Sequence, residues 1–231
     1  MRAWEICAIL INIREMKGNY FMEFVPSRDN EVDNWNEVIL VYSSALKQIE
    51  TKLEILNDEF QHVHQYNPIE HIKSRLKTSE SIVRKLKGDG HEATIENMVK
   101  YVNDIAGIRL ICSFTSDIYK LAKMIANQQD VTLVSVKDYI ANPKPSGYKS
   151  FHMIVTVPVY LSDRIVDVKV EIQIRTVAMD FWASLEHKIN YKFEGDAPEY
   201  LKKELVECAR LVSDLDARML SLNEEVQNYR K

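Results

Sequence analysis

Cysteine, glycine and proline are all scarce in this sequence, and each shortage excludes a class of protein. The 231 residues include three cysteines, Cys7, Cys112 and Cys208, which lie far apart and form no CxxC pair. Neither a disulfide framework nor a zinc site is indicated, and a reducing, cytoplasmic location fits best. Six glycines and six prolines are too few for a low-complexity chain or a long flexible linker.

A strong charge of either sign is also missing. The net charge is −4, which gives no general electrostatic reason to bind nucleic acid or an anionic membrane, so any polyanionic ligand must meet a local positive patch. The apolar stretch 3–13 is too short to span a bilayer and lacks a signal-peptide cleavage site. We expect residues 1–22 to be a flexible extension, with Met16 or Met22 as alternative starts, and residues 23–231 to form one domain without a membrane partner.

The periodicity of apolar residues predicts a single mixed α/β domain, of the α+β type, with a long helix at each end. Apolar residues recur in steps of three and four through 35–63 and 200–228, which is the spacing of amphipathic helices. Further helices are expected at 69–87, 95–103, 117–127 and 178–193, and strands at 107–114, 131–139, 151–157 and around Glu171.

The segment 166–176 is predicted to be a strand with its chemistry on one face. Because side chains alternate along a strand, the apolar residues at even positions would face the core, while Lys169, Glu171, Gln173 and Arg175 would share the other face. An exposed edge of a half-solvated sheet would also explain such a face. Glutamate is depleted in strands, however, and a row of acid, amide and guanidinium suits a site for a metal ion and a phosphate.

A local positive patch is present between residues 73 and 87, where six basic residues stand against one acid, Glu80. A solvated helix face is the ordinary explanation for such a run. In an acidic protein, the combination of lysines with a helical serine is also able to wrap a polyphosphate. The residues at helical spacing on one side of this segment are Lys77, Ser81, Arg84 and Lys85.

Asp104 stands just ahead of the predicted strand 107–114. A lone aspartate at such a place is usually a turn residue. If it meets Glu171 from a neighbouring strand, the two carboxylates form a candidate Mg²⁺ site, because this ion takes one or two carboxylates plus substrate phosphates. The sequence alone does not establish that the two converge.

The loop 142–152 combines stacking, charge and hydrogen bonding within a few residues. Tyr148 is able to stack a base, while Lys144, Lys149 and His152 are able to reach phosphates. A tyrosine in a loop is also often a packing residue. His152 has no carboxylate or HxxxH partner nearby in the sequence, so we do not expect it to bind a metal.

Five segments occur here in the order found in the synthetase domain of the RelA/SpoT-homologue family, which this sequence closely resembles from about residue 35 to 231. More narrowly, it resembles the small, single-domain alarmone synthetases. The resemblance implies a nucleotidyltransferase-like mixed sheet of about five strands, flanked by helices. It also implies transfer of pyrophosphate from ATP to the ribose 3′-hydroxyl of GDP or GTP, giving ppGpp or pppGpp and AMP. The segments are RLKTSESIVRKL (75–86), DIAGIRLIC (104–112), KDYIANPKPSGYKSFH (137–152), EIQIRT (171–176) and AMDFWASLEHK (178–188).

The same resemblance assigns an ATP-binding role to five residues. Arg75 and Arg109 would sandwich the adenine. Lys77, Ser81 and Lys85 would hold the ATP phosphates. The resemblance thus implies that the positive patch and the strand 107–114 form one binding site for the donor nucleotide.

For catalysis and the acceptor, the resemblance implies a second set. Asp104 and Glu171 would bind Mg²⁺, and Glu171 would also take the 3′-hydroxyl proton. The residues implied to bind GDP or GTP are Lys137, Lys144, Tyr148, His152 and Gln173, with Tyr148 stacking on guanine and Gln173 supporting the site.

Two positions depart from relatives in this resemblance. Lys137 stands where some members have arginine, which is a mild change at a phosphate contact. Asp180 stands where some members have asparagine near an allosteric nucleotide site, so we do not carry alarmone activation over to this chain. The sequence contains no His-Asp dipeptide, and we expect synthesis without alarmone hydrolysis.

Alternatives remain for the activity and for the assembly. A relative that pyrophosphorylates the 3′ end of tRNA would need an extended basic surface, and a catalytically inert nucleotide-binding module would be expected to lose one of the two carboxylates. The long terminal helices could pack only within their own chain. Because related small synthetases form tetramers, we instead expect a homotetramer built through these helices.

Overall fold

The computed structural model describes residues 31–191 and 198–229, so the expected extension at 1–22 lies outside the described residues. The described elements, in chain order, are α1 (Glu31–His62), β1 (Ile69–Leu76), α2 (Ser79–Gly88), α3 (Ile95–Tyr101), β2 (Ala106–Cys112), α4 (Thr115–Asn127), β3 (Thr132–Asp138), β4 (Phe151–Tyr160), β5 (Ile165–Thr176), α5 (Val177–Tyr191) and α6 (Glu199–Tyr229).

The five strands form one mixed sheet in the order β1-β2-β5-β4-β3. Strands β2 and β5 run parallel, and the other neighbouring pairs are antiparallel. Helices α1 and α4 pack on the sheet, and their apolar side chains share one core with the even-numbered residues of β5. The expected mixed five-stranded sheet with long terminal helices is therefore confirmed. The odd-numbered residues of β5 are left on the opposite face, where chemistry can take place.

The helix predicted over 69–87 is wrong in its first half. Residues Ile69–Leu76 form strand β1, paired antiparallel with β2 so that Ser74 lies opposite Ile108. Helix α2 begins only at Ser79, because Thr78 is extended and its hydroxyl accepts a hydrogen bond from the backbone N–H of Ser81. The four-residue spacing of apolar residues in this segment fits either element. Pairing along the open edge of β2 decides for the strand, an effect of tertiary context that spacing does not contain.

The remaining predicted elements agree with the structure to within a few residues at each end, and β5 shows the predicted alternation most clearly. Val166, Val168, Val170, Ile172 and Ile174 are all buried. Among the described residues, no helix has both the length and the apolar character needed to cross a membrane.

The C-terminal helix α6 is held against the rest of the domain by only part of its surface. The indole N–H of Trp182 on α5 donates to the carbonyl of Leu205, at 3.0 Å. The buried carboxylate of Asp216 accepts hydrogen bonds from the hydroxyls of Thr176 and Thr115. Several large apolar side chains of α6 remain more than 45% exposed, namely Leu211, Leu215, Met219, Leu222 and Val226.

Candidate active site

Polar side chains form a continuous row across all five strands of the sheet. Strand neighbours that lie directly opposite each other share a face. The pairing puts Lys73 beside Arg109, Arg109 beside Gln173, Gln173 beside His152, and His152 beside Lys137. This row brings together residues that are up to 100 positions apart in the sequence, and it marks the face on which the site is built.

The two candidate carboxylates lie at neighbouring parallel strands. Asp104 stands two residues before β2, and Glu171 lies on β5 directly opposite Gly107. The negative charge of Asp104 acts on Glu171, tending to raise its pKa. The parallel pairing of β2 with β5 thus brings the two groups to the same part of the sheet, which the sequence left open.

Asp104 is engaged by two lysines of the positive patch. The ammonium groups of Lys77 and Lys85 each donate to one oxygen of this carboxylate, both at 2.7 Å. Burial raises the pKa of Asp104, but the hydrogen bonds and charges of the two lysines outweigh it and hold the pKa below its usual value. The result is an ionised aspartate that keeps two cations at the edge of the site.

Glu171 is hydrogen-bonded by two residues of the polar row on the sheet, His152 and Gln173. His152 Nδ1 lies 3.2 Å from one of its oxygens, and the amide of Gln173 donates to the other at 2.9 Å. Burial raises the pKa of Glu171, but the hydrogen bonds from His152 and Gln173 and the His152 charge lower it below its usual value overall. His152 thus has a carboxylate partner after all. It comes from the adjacent strand, where sequence distance gave no sign of it.

A cavity of about 220 Å³ opens beside Glu171. Arg75 on β1 and Arg109 on β2 line it, with Gly107 between them, where a Cβ would make an ordinary van der Waals contact of 3.8 Å with the Arg75 side chain. The Nε of Arg109 is buried and has no hydrogen-bond partner within the described part of the chain. A buried donor without a partner is costly, and it points to a ligand in this cavity. The other lining residues are Lys73, Ser74, Ile108 and Gln173.

Helix α2 starts at the same end of the site. Lys77 precedes its N-cap residue Thr78, and Ser81 lies in its first turn. A helix N-terminus presents free N–H groups and a partial positive charge, so it favours phosphate. Together with Lys85, which reaches Asp104 from the last turn, this end of the site offers an anion several donors.

The other side of the site is aromatic. The hydroxyl of Tyr148 lies 2.8 Å from His152 Nε2, and Tyr139 packs edge-on against both rings. The ammonium of Lys144 lies 4.9 Å from the ring centroid of Tyr139 and 5.0 Å from that of Tyr148. These are cation–π distances. A base that stacked on Tyr148 would compete with this lysine for the ring.

Two residues near the site make contacts that the sequence analysis did not predict. Arg175 shares the polar face of β5, as its position in the alternation predicts, yet it is only 4% exposed and donates to the Tyr148 hydroxyl at 2.6 Å. It is therefore a buried neighbour of the tyrosine and not an open phosphate ligand. Asp180, in the first turn of α5, accepts from Arg175 at 3.1 Å. The alternation along β5 placed Arg175 on this face, but nothing in the sequence indicated its contact with Asp180.

The loop that carries Tyr148 is fixed by a close contact with α6. Gly147 has φ +87°, and a Cβ built there would lie 2.5 Å from the Cβ of Ala209. Only glycine combines this backbone conformation with this approach. Lys149, which the sequence placed among the phosphate contacts, instead lines a small gap against α6 together with Asp216.

Among the described residues, no cluster of three or more His, Cys, Asp or Glu side chains could hold a metal ion alone. Asp104 and Glu171 supply two hard oxygen ligands, which is what Mg²⁺ takes from a protein when substrate phosphates complete its shell. The residues present therefore fit Mg²⁺ bound together with a nucleotide.

A family model described as "Region found in RelA / SpoT proteins" matches residues 74–196. The chain is 50% identical over 195 residues to the GTP pyrophosphokinase YwaC of Bacillus subtilis, covering 84% of this chain and 93% of that protein. It is 35% identical over 193 residues to the GTP pyrophosphokinase YjbM of the same organism, covering 84% of this chain and 90% of that protein.

Solved structures give the same picture. The crystal structure of small alarmone synthetase 2 from Bacillus subtilis matches with a TM-score of 0.76 and 48% identity, over 83% of this chain and 99% of that one. Small alarmone synthetase 1 from the same organism, bound to its product pppGpp, matches with a TM-score of 0.78 and 35% identity, over 84% of this chain and 98% of that one.

Proposed function

The chain belongs to the RelA/SpoT family, and from this membership and the geometry of the site we propose that it is a GTP pyrophosphokinase. It transfers the β,γ-pyrophosphate of ATP to the ribose 3′-hydroxyl of GDP or GTP, forming ppGpp or pppGpp and releasing AMP. The observation that carries the proposal is that Glu171, on the strand next to the one that Asp104 precedes, lies between a cationic cavity and the cluster of Tyr139, Tyr148 and His152. Relatives named GTP pyrophosphokinases that match over nearly their whole length support it.

On the donor side, Arg75 and Arg109 hold the adenine from two sides of the cavity. Lys77, Ser81 and Lys85 bind the phosphates. The unpartnered Nε of Arg109 and the position of Ser81 in the first turn of α2 support these roles, because both leave donors available to a ligand.

On the acceptor side, Tyr148 stacks the guanine, and Lys137, Lys144 and His152 contact the phosphates of GDP or GTP. Gln173 orients the general base by its hydrogen bond to Glu171. Glu171 takes the proton of the 3′-hydroxyl, since its lowered pKa keeps it ionised at neutral pH. The bond from the 3′-oxygen to the β-phosphorus forms as the bond from that phosphorus to the α,β-bridging oxygen breaks, and AMP leaves.

The proposal includes Mg²⁺ held by Asp104 and Glu171. The ion would neutralise the phosphate charge during transfer, which is the main requirement of phosphoryl-type chemistry. Asp104 is well suited to share its oxygens with a metal when ATP phosphates compete for Lys77 and Lys85.

The test is nucleotide chromatography after the protein is mixed with ATP, Mg²⁺ and either GDP or GTP. We expect AMP and a guanosine tetra- or pentaphosphate in equal amounts. A parallel reaction with uncharged tRNA should leave the tRNA unmodified; transfer to tRNA alone would favour the tRNA-modifying alternative. Tight nucleotide binding without any product would favour an inert module.

The proposal also includes a cytoplasmic homotetramer. The exposed apolar residues of α6, together with Leu40 and Ile55 on α1, are 49–61% exposed. Their arrangement along two long helices favours burial against further copies. Light scattering at micromolar concentration should give about four times the monomer mass of 26.9 kDa, and Leu215→Glu should lower it. A wild-type mass near that of the monomer contradicts this part.

A further inference from the structure

All three nitrogens of the buried Arg175 guanidinium already donate hydrogen bonds within the protein. Arg175 is therefore not an open ligand for a substrate phosphate. One terminal nitrogen donates to the Tyr148 hydroxyl at 2.6 Å and to the Gln173 amide oxygen at 2.9 Å. The other donates to Asp180 at 3.1 Å, and Nε to the Ser150 hydroxyl at 3.3 Å. Arg175 therefore fixes the acceptor-side tyrosine and the glutamine that holds the general base.

Asp180 joins this cluster to the donor side. The same oxygen, Oδ1, accepts a hydrogen bond from Arg175 at 3.1 Å and forms an ion pair with Arg109 at 3.2 Å. The two guanidinium groups repel each other, since the charge of Arg175 is one of the causes that lower the pKa of Arg109, after burial. The Asp180 carboxylate is what allows the two cations to lie side by side, since buried like charges need a counter-charge.

A path of one ion pair followed by hydrogen bonds thus leads from the donor cavity to the acceptor pocket and to the base. It runs from Arg109 through Asp180 and Arg175, and then divides to Tyr148 and, through Gln173, to Glu171. When adenine stacks on Arg109, the pull of this guanidinium on Asp180 changes. The position of Arg175 depends on the same oxygen.

We propose that Asp180 and Arg175 are positioning residues that couple the two nucleotide pockets, so that a nucleotide on Arg109 favours the arrangement of Tyr148 and Glu171 that receives guanosine. This inference rests on the proposed function. Neither residue touches substrate in this arrangement; each acts through Arg109, Tyr148 or Gln173. Coupling of this kind is reciprocal, because each ligand must change the affinity for the other by the same factor.

The experiment measures GDP affinity by isothermal titration calorimetry, with and without saturating α,β-methylene-ATP. This analogue carries a carbon bridge at the bond that the transfer would break, so no turnover interferes. In the wild type we expect GDP to bind about fivefold or more tightly in its presence, the range of ordinary allosteric coupling. In Asp180→Asn, which keeps the shape but removes the counter-charge, the ratio should fall to about one.

A matched control is Asp130→Asn, which removes an aspartate paired with Lys52 on another part of the surface and should keep the wild-type ratio. Arg175→Lys should also lose the coupling, and its melting curve shows whether it is folded. Equal ratios in Asp180→Asn and the wild type overturn the inference, as does a wild-type ratio of one. Either result leaves the proposed function standing if the protein still forms ppGpp, whereas a protein that binds neither nucleotide contradicts both.

Discussion

The side chains of the donor side and those of the acceptor side are held in place by different interactions. On the donor side, Lys77 and Lys85 are paired with one carboxylate, and Arg75 and Arg109 line an open cavity. On the acceptor side, Tyr139, Tyr148 and His152 pack on one another, and Arg175 donates a hydrogen bond to the Tyr148 hydroxyl. The first is an arrangement of charges, and the second is an arrangement of rings.

Because of this difference, we expect one side of the site to set the affinity for polyphosphate and the other to set the selectivity for the base. Charges attract any polyphosphate, because a lysine reads the charge of a phosphate and not the base attached to it. Aromatic rings stack on any base, but they hold it in one place, where the hydrogen-bonding groups beside the rings are able to discriminate among bases. We expect the choice of guanosine nucleotide to depend on the acceptor side, while the donor side sets how tightly a triphosphate is held.

The largest expected effect is at Glu171, where the two sides meet. Glu171→Gln should lower kcat by about a hundredfold or more, the scale of a lost general base, with little change in KM for either nucleotide. The measurement is the rate of AMP release under saturating substrates. Asp167→Asn, the same chemical change on the same face of β5, is the control and should retain the wild-type rate. More than a tenth of wild-type activity in Glu171→Gln would show that another group is the base.

Asp104→Asn should have the next largest effect, confined to the donor side. The change removes a charge that holds two lysines, and losing a charged hydrogen bond costs about 1.5–3 kcal/mol, roughly tenfold or more in rate. We expect a higher Mg²⁺ requirement and a higher KM for ATP, with KM for GDP nearly unchanged. A titration of Mg²⁺ at fixed nucleotide concentrations measures it. An unchanged Mg²⁺ requirement would place the metal elsewhere.

A pair of variants with smaller expected effects, one on each side of the site, tests the difference between the donor and acceptor sides directly. Tyr148→Ala should raise KM for GDP or GTP, because stacking on an aromatic side chain contributes about 1–3 kcal/mol per base. Lys77→Ala should instead raise KM for ATP. Steady-state kinetics with each substrate varied in turn gives both values. If the tyrosine variant needed more ATP and spared GDP, the two pockets would have to be exchanged.

The smallest expected effect is the pH dependence of stability. The pKa of Asp104 is lowered in the folded state, so its ionised form stabilises the fold above the usual carboxyl pKa of about 4, and this stabilisation is lost as pH falls through the lowered value. Wild type and Asp104→Asn should therefore differ in urea midpoint at pH 7 and converge toward pH 3. A difference that stays constant over this range contradicts the assignment of the shift.

Sequence patterns predicted the elements whose signal is local and long. The alternation in β5 and the apolar steps of α1 and α6 are of this kind. Strand β1 was predicted to be a helix because the spacing of its apolar residues fits a helix as well. The hydrogen bonds that decide for a strand come from β2. Local patterns carry no information about which edge of a sheet a segment will find.

The candidate site shows the same limit. The residue types at Asp104 and Glu171 suggested their chemistry, but their meeting depends on the parallel pairing of β2 and β5. The partnership of His152 with Glu171 likewise arises across two strands. Asp180 drew notice only through family resemblance, since nothing in its neighbourhood along the chain shows that two arginines share one of its oxygens.

The close contact between Gly147 and Ala209 restricts which residues are tolerated at both positions, although they lie far apart in the sequence. In a randomised library, position 209 should be recovered mainly as alanine or glycine, because any larger side chain would push the loop that carries Tyr148 outward. Position 147 should stay glycine in almost every active clone, since no change in α6 relieves its positive φ. A search for variants with a new base preference is therefore best made by holding this pair constant and varying the residues on either side of Tyr148.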